Sequence, residues 1–285
     1  VTGAEQLTDP CTDHGEGPFW DAGRDRLLVL DMLAGAVVEL PPSGSPLRHE
    51  LGGVVATIRA RRGDGYVVAT ERGFRLLDAG FAPDGPEIVA FADPGVRMND
   101  GGCDPQGRFY CGSMAYDETP GAGAVYRLDP DRSVRLVRSG VTISNGLEWH
   151  ADGRHAYYAD TPTGRVDLLD FDAESGTFTG GRPFAEIAPH PGLPDGLALD
   201  EEGGVWVALW GGGAVHRYDP AGRLTERVEL PVRQVTACAF GGPERRTLYV
   251  TTSRHGRGPD AEPAAGAVFA YAAGVRGAEV FAFAG

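Results

Sequence analysis

Four short segments of this chain set acidic or amide side chains beside glycine: His14-Gly15-Glu16-Gly17-Pro18, Arg97-Met98-Asn99-Asp100-Gly101, Ser144-Asn145-Gly146-Leu147 and Pro194-Asp195-Gly196-Leu197. Singly, each reads as an ordinary turn, because Asn-Gly and Asp-Gly favour tight bends. Their phase says more. Glu16 lies five residues before Asp21 and Asp195 five before Asp200, while Asp100 lies four before Asp104 and Asn145 seven before Asp152. Each therefore precedes the same kind of landmark, and a fold that repeats the landmark would carry all four segments to one place. Carboxylates and amide oxygens gathered there are hard donors, suited to Ca2+, Mg2+ or Mn2+, with Zn2+ a further option. Three or four protein ligands leave coordination positions for water and substrate, which is the open arrangement of a catalytic centre.

The elements that must position these residues show in a repeat. An apolar strand start is followed by a turn of Asp or Pro with Gly, then by a strand of aromatic and aliphatic residues. Examples are Phe19-Trp20-Asp21-Ala22-Gly23 with Leu27-Leu28-Val29-Leu30, Cys103-Asp104-Pro105-Gln106-Gly107 with Arg108-Phe109-Tyr110-Cys111, and Leu199-Asp200-Glu201-Glu202-Gly203 with Val205-Trp206-Val207-Ala208. Six copies lie about 40–48 residues apart, the period of four-stranded propeller blades. The reading is an all-β, six-bladed β-propeller with four-stranded blades around a central channel, a single domain over 1–285. Wrapping the blades into a ring removes most open sheet edges, and the N-terminal segment is expected to close it beside Val280-Phe281-Ala282-Phe283. The four segments then belong to the loops that enter the innermost strands, around one channel mouth.

Bulk properties narrow the function. The chain has 285 residues with 26 basic against 40 acidic, a formal charge of −14. That disfavours nucleic acid and anionic membranes as partners, since both need concentrated Lys and Arg. No apolar run approaches the roughly 18–20 residues that span a bilayer, and Val1-Thr2-Gly3-Ala4-Glu5 lacks the pattern of a signal peptide. A cytoplasmic monomer is the expectation. Cys11, Cys103, Cys111 and Cys238 form no C-x-x-C pair, so they read as free thiols rather than zinc ligands. No G-x-S-x-G elbow and no G-x-G-x-x-G opening a helix is present. His190 and His216 read as surface or packing residues, while His255 could reach the channel mouth.

Together these motifs resemble the senescence marker protein, gluconolactonase and regucalcin family of metal-dependent lactonases. The likeness runs from Gly15 to about Phe269. It is dense in Gly15-Glu16-Gly17-Pro18-Phe19-Trp20-Asp21, in the Arg97 and Ser144 segments, and from Leu193 through Trp206-Val207-Ala208-Leu209-Trp210-Gly211-Gly212-Gly213. The resemblance implies hydrolysis of a small sugar-type lactone with one divalent cation as cofactor, held by Glu16, Asn145 and Asp195. It also implies that Arg97 and Asn99 hold the substrate's oxygens, and that a carboxylate in Asp117-Glu118, with Asp117 the better aligned, touches sugar hydroxyls. A cation there would polarise the carbonyl and activate water, with Asp195 as the catalytic residue relaying the proton. His14 departs from the family's usual apolar residue and, like His255, is a candidate for substrate selection.

Overall fold

The structure, a computed structural model, describes residues 3–187, 190–258 and 262–285. The alternation of apolar runs with Gly- and Asp-rich turns forms six four-stranded antiparallel sheets, the blades of a six-bladed β-propeller. Blade 1 comprises Gly15–Asp21, Arg26–Asp31, Ala36–Leu40 and Leu47–Glu50, and blade 2 Val55–Ala60, Tyr66–Thr70, Gly73–Leu77 and Ile88–Val89. Blade 3 comprises Val96–Cys103, Phe109–Ala115, Gly123–Leu128 and Val134–Val141, and blade 4 Ser144–Trp149, His155–Asp160, Arg165–Asp172 and Thr177–Glu186. Blade 5 comprises Leu193–Leu199, Val205–Trp210, Ala214–Tyr218 and Leu224–Glu229. Blade 6 takes Val235–Gly241, Thr247–Thr252 and Phe269–Ala272, then Glu5–Gln6 from the other end of the chain. Among the described residues the helical content is one 3-10 turn, Thr161–Thr163.

The first strand of each blade packs on the first strands of both neighbours, including the first blade on the last, so six inner strands enclose the channel. The second strands are sandwiched between blades. Leu27, Leu28, Val29 and Leu30 are all buried, as is every residue of Tyr66–Thr70, which is why they read as unbroken apolar runs. The rim strands Leu47–Glu50 and Leu224–Glu229 are charged and mostly exposed. Each repeat noticed in the sequence is the hairpin joining a first strand to a second, and in blades 3, 4 and 5 its Asp accepts amide hydrogen bonds that hold the turn. Asp200, for example, accepts hydrogen bonds from the Gly204 amide at 2.7 Å, Trp206 Nε1 at 2.9 Å and Arg217 Nε at 2.8 Å.

Ring closure differs from the expectation. Glu5–Gln6 pairs with Phe269–Ala272, not with 280–283. Phe269 and Tyr271 alternate as strand residues should, whereas the last residues follow a path of their own. Gly277 bridges Asp200 of blade 5, and Phe283 bridges Arg61 of blade 2, on the opposite side of the ring. The tail thus straps the lower end of the channel.

All six inner strands carry an irregularity at the same depth. Pairing shifts between Glu16 and Phe19, Val55 and Thr57, Met98 and Gly101, Asn145 and Leu147, Pro194 and Leu197, and Val235 and Cys238. A bulge bends the strand and re-aims a side chain. The candidate ligands therefore stand on bulges within strands, not in the entering loops.

Candidate metal centre

A cavity of about 500 Å³ opens at the end of the channel away from the tail. Glu16, Arg97, Asn99, Asn145 and Asp195 line it, with Leu33, Val54, Met114, Ile143 and Trp210 as an apolar wall. The glycines that follow the ligands are required by the inner ring's tightness. A Cβ on Gly196 would sit 2.5 Å from Ala237 Cβ, and one on Gly146 would sit 2.8 Å from the Asp195 carbonyl oxygen. Asn-Gly and Asp-Gly here serve close strand approach rather than a turn.

Hydrogen bonds from blade to blade fix the amides. Arg97 Nη1 donates to Asn99 Oδ1 at 2.6 Å and to the Met98 carbonyl at 3.0 Å. Asn99 Nδ2 donates to the Ser144 carbonyl at 2.8 Å and to Asn145 Oδ1 at 3.0 Å. Asn145 Nδ2 donates to Thr161 Oγ1 at 2.7 Å, and that hydroxyl donates to the Pro194 carbonyl at 2.8 Å. The chain of donors leaves each amide one orientation. Asn145 Oδ1 keeps a lone pair for a further partner. The Arg97 guanidinium also lies over the Tyr116 ring, 5.9 Å from its centroid, and Tyr116 is tied to Glu71 by a 2.9 Å hydrogen bond.

The two carboxylates are buried without an opposing partner of equal weight. Glu16 is 4% exposed and its Oε2 accepts the Gly17 amide at 3.0 Å. Burial, then the charge of Asp100, pushes its carboxyl up to about 8. Asp195 is raised well above the carboxylate range by burial and by the charges of Glu16 and Asp100, with Arg97 only partly opposing them. Two buried anions repelling each other form a site that gains stability from a dication, whose field restores both charged forms. No three His, Cys, Asp or Glu side chains converge among the described residues, so amide oxygen must complete the donor set. Oxygen-only donors fit a hard cation.

Of the sequence candidates, Glu16, Arg97, Asn99, Asn145 and Asp195 meet at this cavity. Asp117 does not. Its Oδ1 accepts the Thr119 amide at 3.1 Å in an exposed turn, and Glu118 lines the cavity instead. Glu118 adopts φ of 56°, a left-handed backbone uncommon outside glycine. Asp100, expected to join the others, faces the lower channel. There it lines a second cavity of about 290 Å³ with Arg59 and Glu148, which pair at 2.7 Å. Its carboxyl is raised to about 6 by burial. His14 and His255 both line the upper cavity. Burial, then the charges of Arg97 and His255, lowers His14 to about 3, so its imidazole is neutral in the physiological range. Thr161, Tyr116 and Trp210 were not singled out as site residues by sequence reasoning. The cysteines are free, with Cys103, Cys111 and Cys238 buried.

Against known proteins, the model of the SMP-30/Gluconolactonase/LRE-like region matches residues 14–254. The regucalcin of Xenopus laevis is 34% identical over 285 residues, 95% of each chain. Among solved structures, a luciferin-regenerating enzyme superposes with a TM-score of 0.86 at 31% identity, covering 100% of this chain and 98% of that one. A regucalcin of Agrobacterium tumefaciens, described as a calcium-binding protein, superposes with a TM-score of 0.88 at 29% identity, covering 99% and 97%.

Proposed function

The chain belongs to the SMP-30/gluconolactonase/LRE-like family, and from that premise we propose that it hydrolyses a small sugar-type lactone to its hydroxy acid, using one divalent cation held by Glu16, Asn145 and Asp195. The observation that carries this reading is the convergence, in one open cavity, of two uncompensated buried carboxylates, an oriented amide oxygen and a guanidinium. A site built only to hold a cation has no use for Arg97 at its wall. When bound, the cation would supply Lewis acidity, polarising the carbonyl and lowering the pKa of water. Calcium is the first ion to try, given the oxygen donors and the calcium-binding description of a solved relative; Mg2+, Mn2+ and Zn2+ are the alternatives.

The chain's own residues divide the remaining work. Arg97 spends Nη1 on Asn99 and Met98, and its Nε and Nη2 have no partner among the described residues, so a donor edge remains for substrate oxygens. Asn99 sets that edge and ties it to Asn145. Asp195 orients the attacking water and takes its proton, then returns it to the ring oxygen as the C–O bond breaks. A carboxylate that also holds a cation is a weak base, so the proton is relayed rather than retained. Glu118 stands where sugar hydroxyls would meet a carboxylate, the place first given to Asp117.

A panel of five- and six-membered lactones, assayed with and without EDTA and after adding back each cation, tests the proposal. Turnover should vanish on chelation and return with at least one ion. Asp195→Asn and Glu16→Gln should each lower kcat at least 10²-fold while the fold survives. Full activity in either variant sinks the ligand assignment, and tight cation binding without turnover of any lactone would make this a binding protein.

A further inference from the structure

Resting on the lactonase reading, we propose that His14 recognises a hydroxyl group on the lactone, so that this site selects polyhydroxylated lactones over plain alkyl ones. The ring is too firmly placed to be an idle loop residue. The His14 amide donates to Asp31 Oδ1 at 3.1 Å, and its carbonyl accepts the Met32 amide at 3.0 Å. Trp210 meets the imidazole edge-on with centroids 6.0 Å apart, and the His255 ring lies 5.7 Å away.

One ring nitrogen is spoken for. Nδ1 lies 2.8 Å from Ser253 Oγ, which also accepts the His255 amide at 3.0 Å and reaches the Asp13 carbonyl at 3.4 Å. A hydroxyl has one proton and two lone pairs. Whether that hydroxyl donates to Nδ1 or to the Asp13 carbonyl, Nδ1 is engaged. The imidazole is left with Nε2 for the cavity, an acceptor in one tautomer and a donor in the other, and a substrate hydroxyl can answer either. Nε2 has no partner among the described residues, His14 lines the cavity, and the atom is not among the buried polar atoms sealed from it.

The surroundings give that nitrogen its selectivity. Leu33, Val54 and Ile143 on the same cavity wall carry no polar side-chain atom, so a substrate methylene set against Nε2 would leave it unpaired, whereas a substrate hydroxyl would satisfy it. A site built to hydrogen-bond a hydroxyl rejects the analogue lacking it because its own polar group is stranded. Glu118, on the same cavity, can accept from a second hydroxyl. The ligand class is thus a lactone with hydroxyls on its ring carbons.

The test is the ratio of kcat/KM for glucono-1,5-lactone over δ-valerolactone, measured with the wild-type chain, His14→Leu and His14→Gln under the cation that gives best turnover. His14→Leu should lower the ratio about tenfold or more, and His14→Gln, which still offers an acceptor, should restore part of it. Ser253→Ala, which removes the partner that holds Nδ1 and frees the ring to turn, should also lower the ratio and serves if His14→Leu does not fold. An unchanged ratio in both His14→Leu and Ser253→Ala, whatever the absolute rates do, overturns the assignment while leaving the lactonase reading intact. Failure of the wild-type chain to hydrolyse either lactone overturns that reading and this inference with it.

Discussion

Asn145 can offer its oxygen to a cation reliably only if something else holds its nitrogen, and Thr161 does so. That hydroxyl is itself fixed by the Pro194 carbonyl one residue before Asp195, so it couples two candidate ligands from neighbouring blades. Partners of this kind typically change metal affinity 10–100-fold. Thr161→Val keeps the shape and deletes the acceptor, and calorimetric titration with Ca2+ should show affinity about tenfold weaker or worse; an unchanged Kd would mean that Asn145 needs no such clamp. Arg97→Lys should reduce kcat/KM for a hydroxylated lactone about 10-fold or more, because a point charge cannot serve Asn99 and substrate together. An equal fall in cation affinity would mean that Arg97 acts through Asn99 on the amide ligand Asn145 rather than on the substrate. Glu16, Asn145 and Asp195 were legible because they share a phase in a repeat; Asp100 shares it too yet faces the lower channel, and Arg97 and Asn99 came from the family resemblance alone. Thr161 and Tyr116 were not legible, since contacts between blades leave no spacing along the chain. Of the Asp117-Glu118 pair the resemblance ranked Asp117 first, and it is Glu118 that lines the cavity.

At the scale of the strand, a sequence of turn formers conceals a bulge. Asn-Gly and Asp-Gly suggest reversal of the chain, yet Gly146 and Gly196 lie inside strands whose neighbours come too near for a side chain. Gly196→Ala is therefore expected to destabilise the protein by about 1–3 kcal/mol through overpacking and to shift Asp195 with it. Urea unfolding and lactone turnover should both register the change, and wild-type values for both would show that the inner ring has slack. Blade 5 carries a second liability. His216 is buried, its Nδ1 is 3.2 Å from Tyr218 Oη, and burial, then the charge of His190, lowers it to about 4. Its folded value lies below the unfolded 6.5, so the unfolded chain takes up the proton first, and stability is complete above pH 6.5 and drains as pH falls towards 4. His216→Gln should flatten the acid limb of a Tm-against-pH curve over that window. A parallel curve would assign the acid loss to other groups.

For the whole molecule, the ring is held shut in two ways, and the sequence showed only one of them faintly. A period of about 40–48 residues announced six blades, but which terminal residues complete the last blade depends on hydrogen bonds between distant ends of the chain. Glu5–Gln6 does so by pairing with Phe269–Ala272. Arginine adds stitches between blades: all 26 basic residues are arginine, and Arg62 donates to the Pro105 carbonyl at 2.9 Å, Arg108 to the Ala173 carbonyl at 2.7 Å and Arg245 to Glu201 at 2.8 Å. The second closure is the strap. Its backbone is tied to blade 5 where the Ala278 amide meets the Leu199 carbonyl at 2.8 Å, and to blade 2 where the Phe283 amide meets Ala60 at 2.9 Å. Between them, Ala278, Glu279 and Val280 floor the lower cavity. Phe283 is 0% exposed and joins the core formed by Met98, Phe109 and Leu128. Truncating so buried an aromatic ring typically costs about 3–5 kcal/mol, and at about 2–4 °C per kcal/mol for chains approaching this size, Phe283→Ala should lower Tm by roughly 6–20 °C. Because the strap lies at the far end of the channel from Glu16, Asn145 and Asp195, lactone turnover at a temperature where the variant stays folded should keep its wild-type KM. A Tm within a degree of wild type would show that the tail merely rests on the ring, and a raised KM in the folded variant would show that the two ends of the channel communicate.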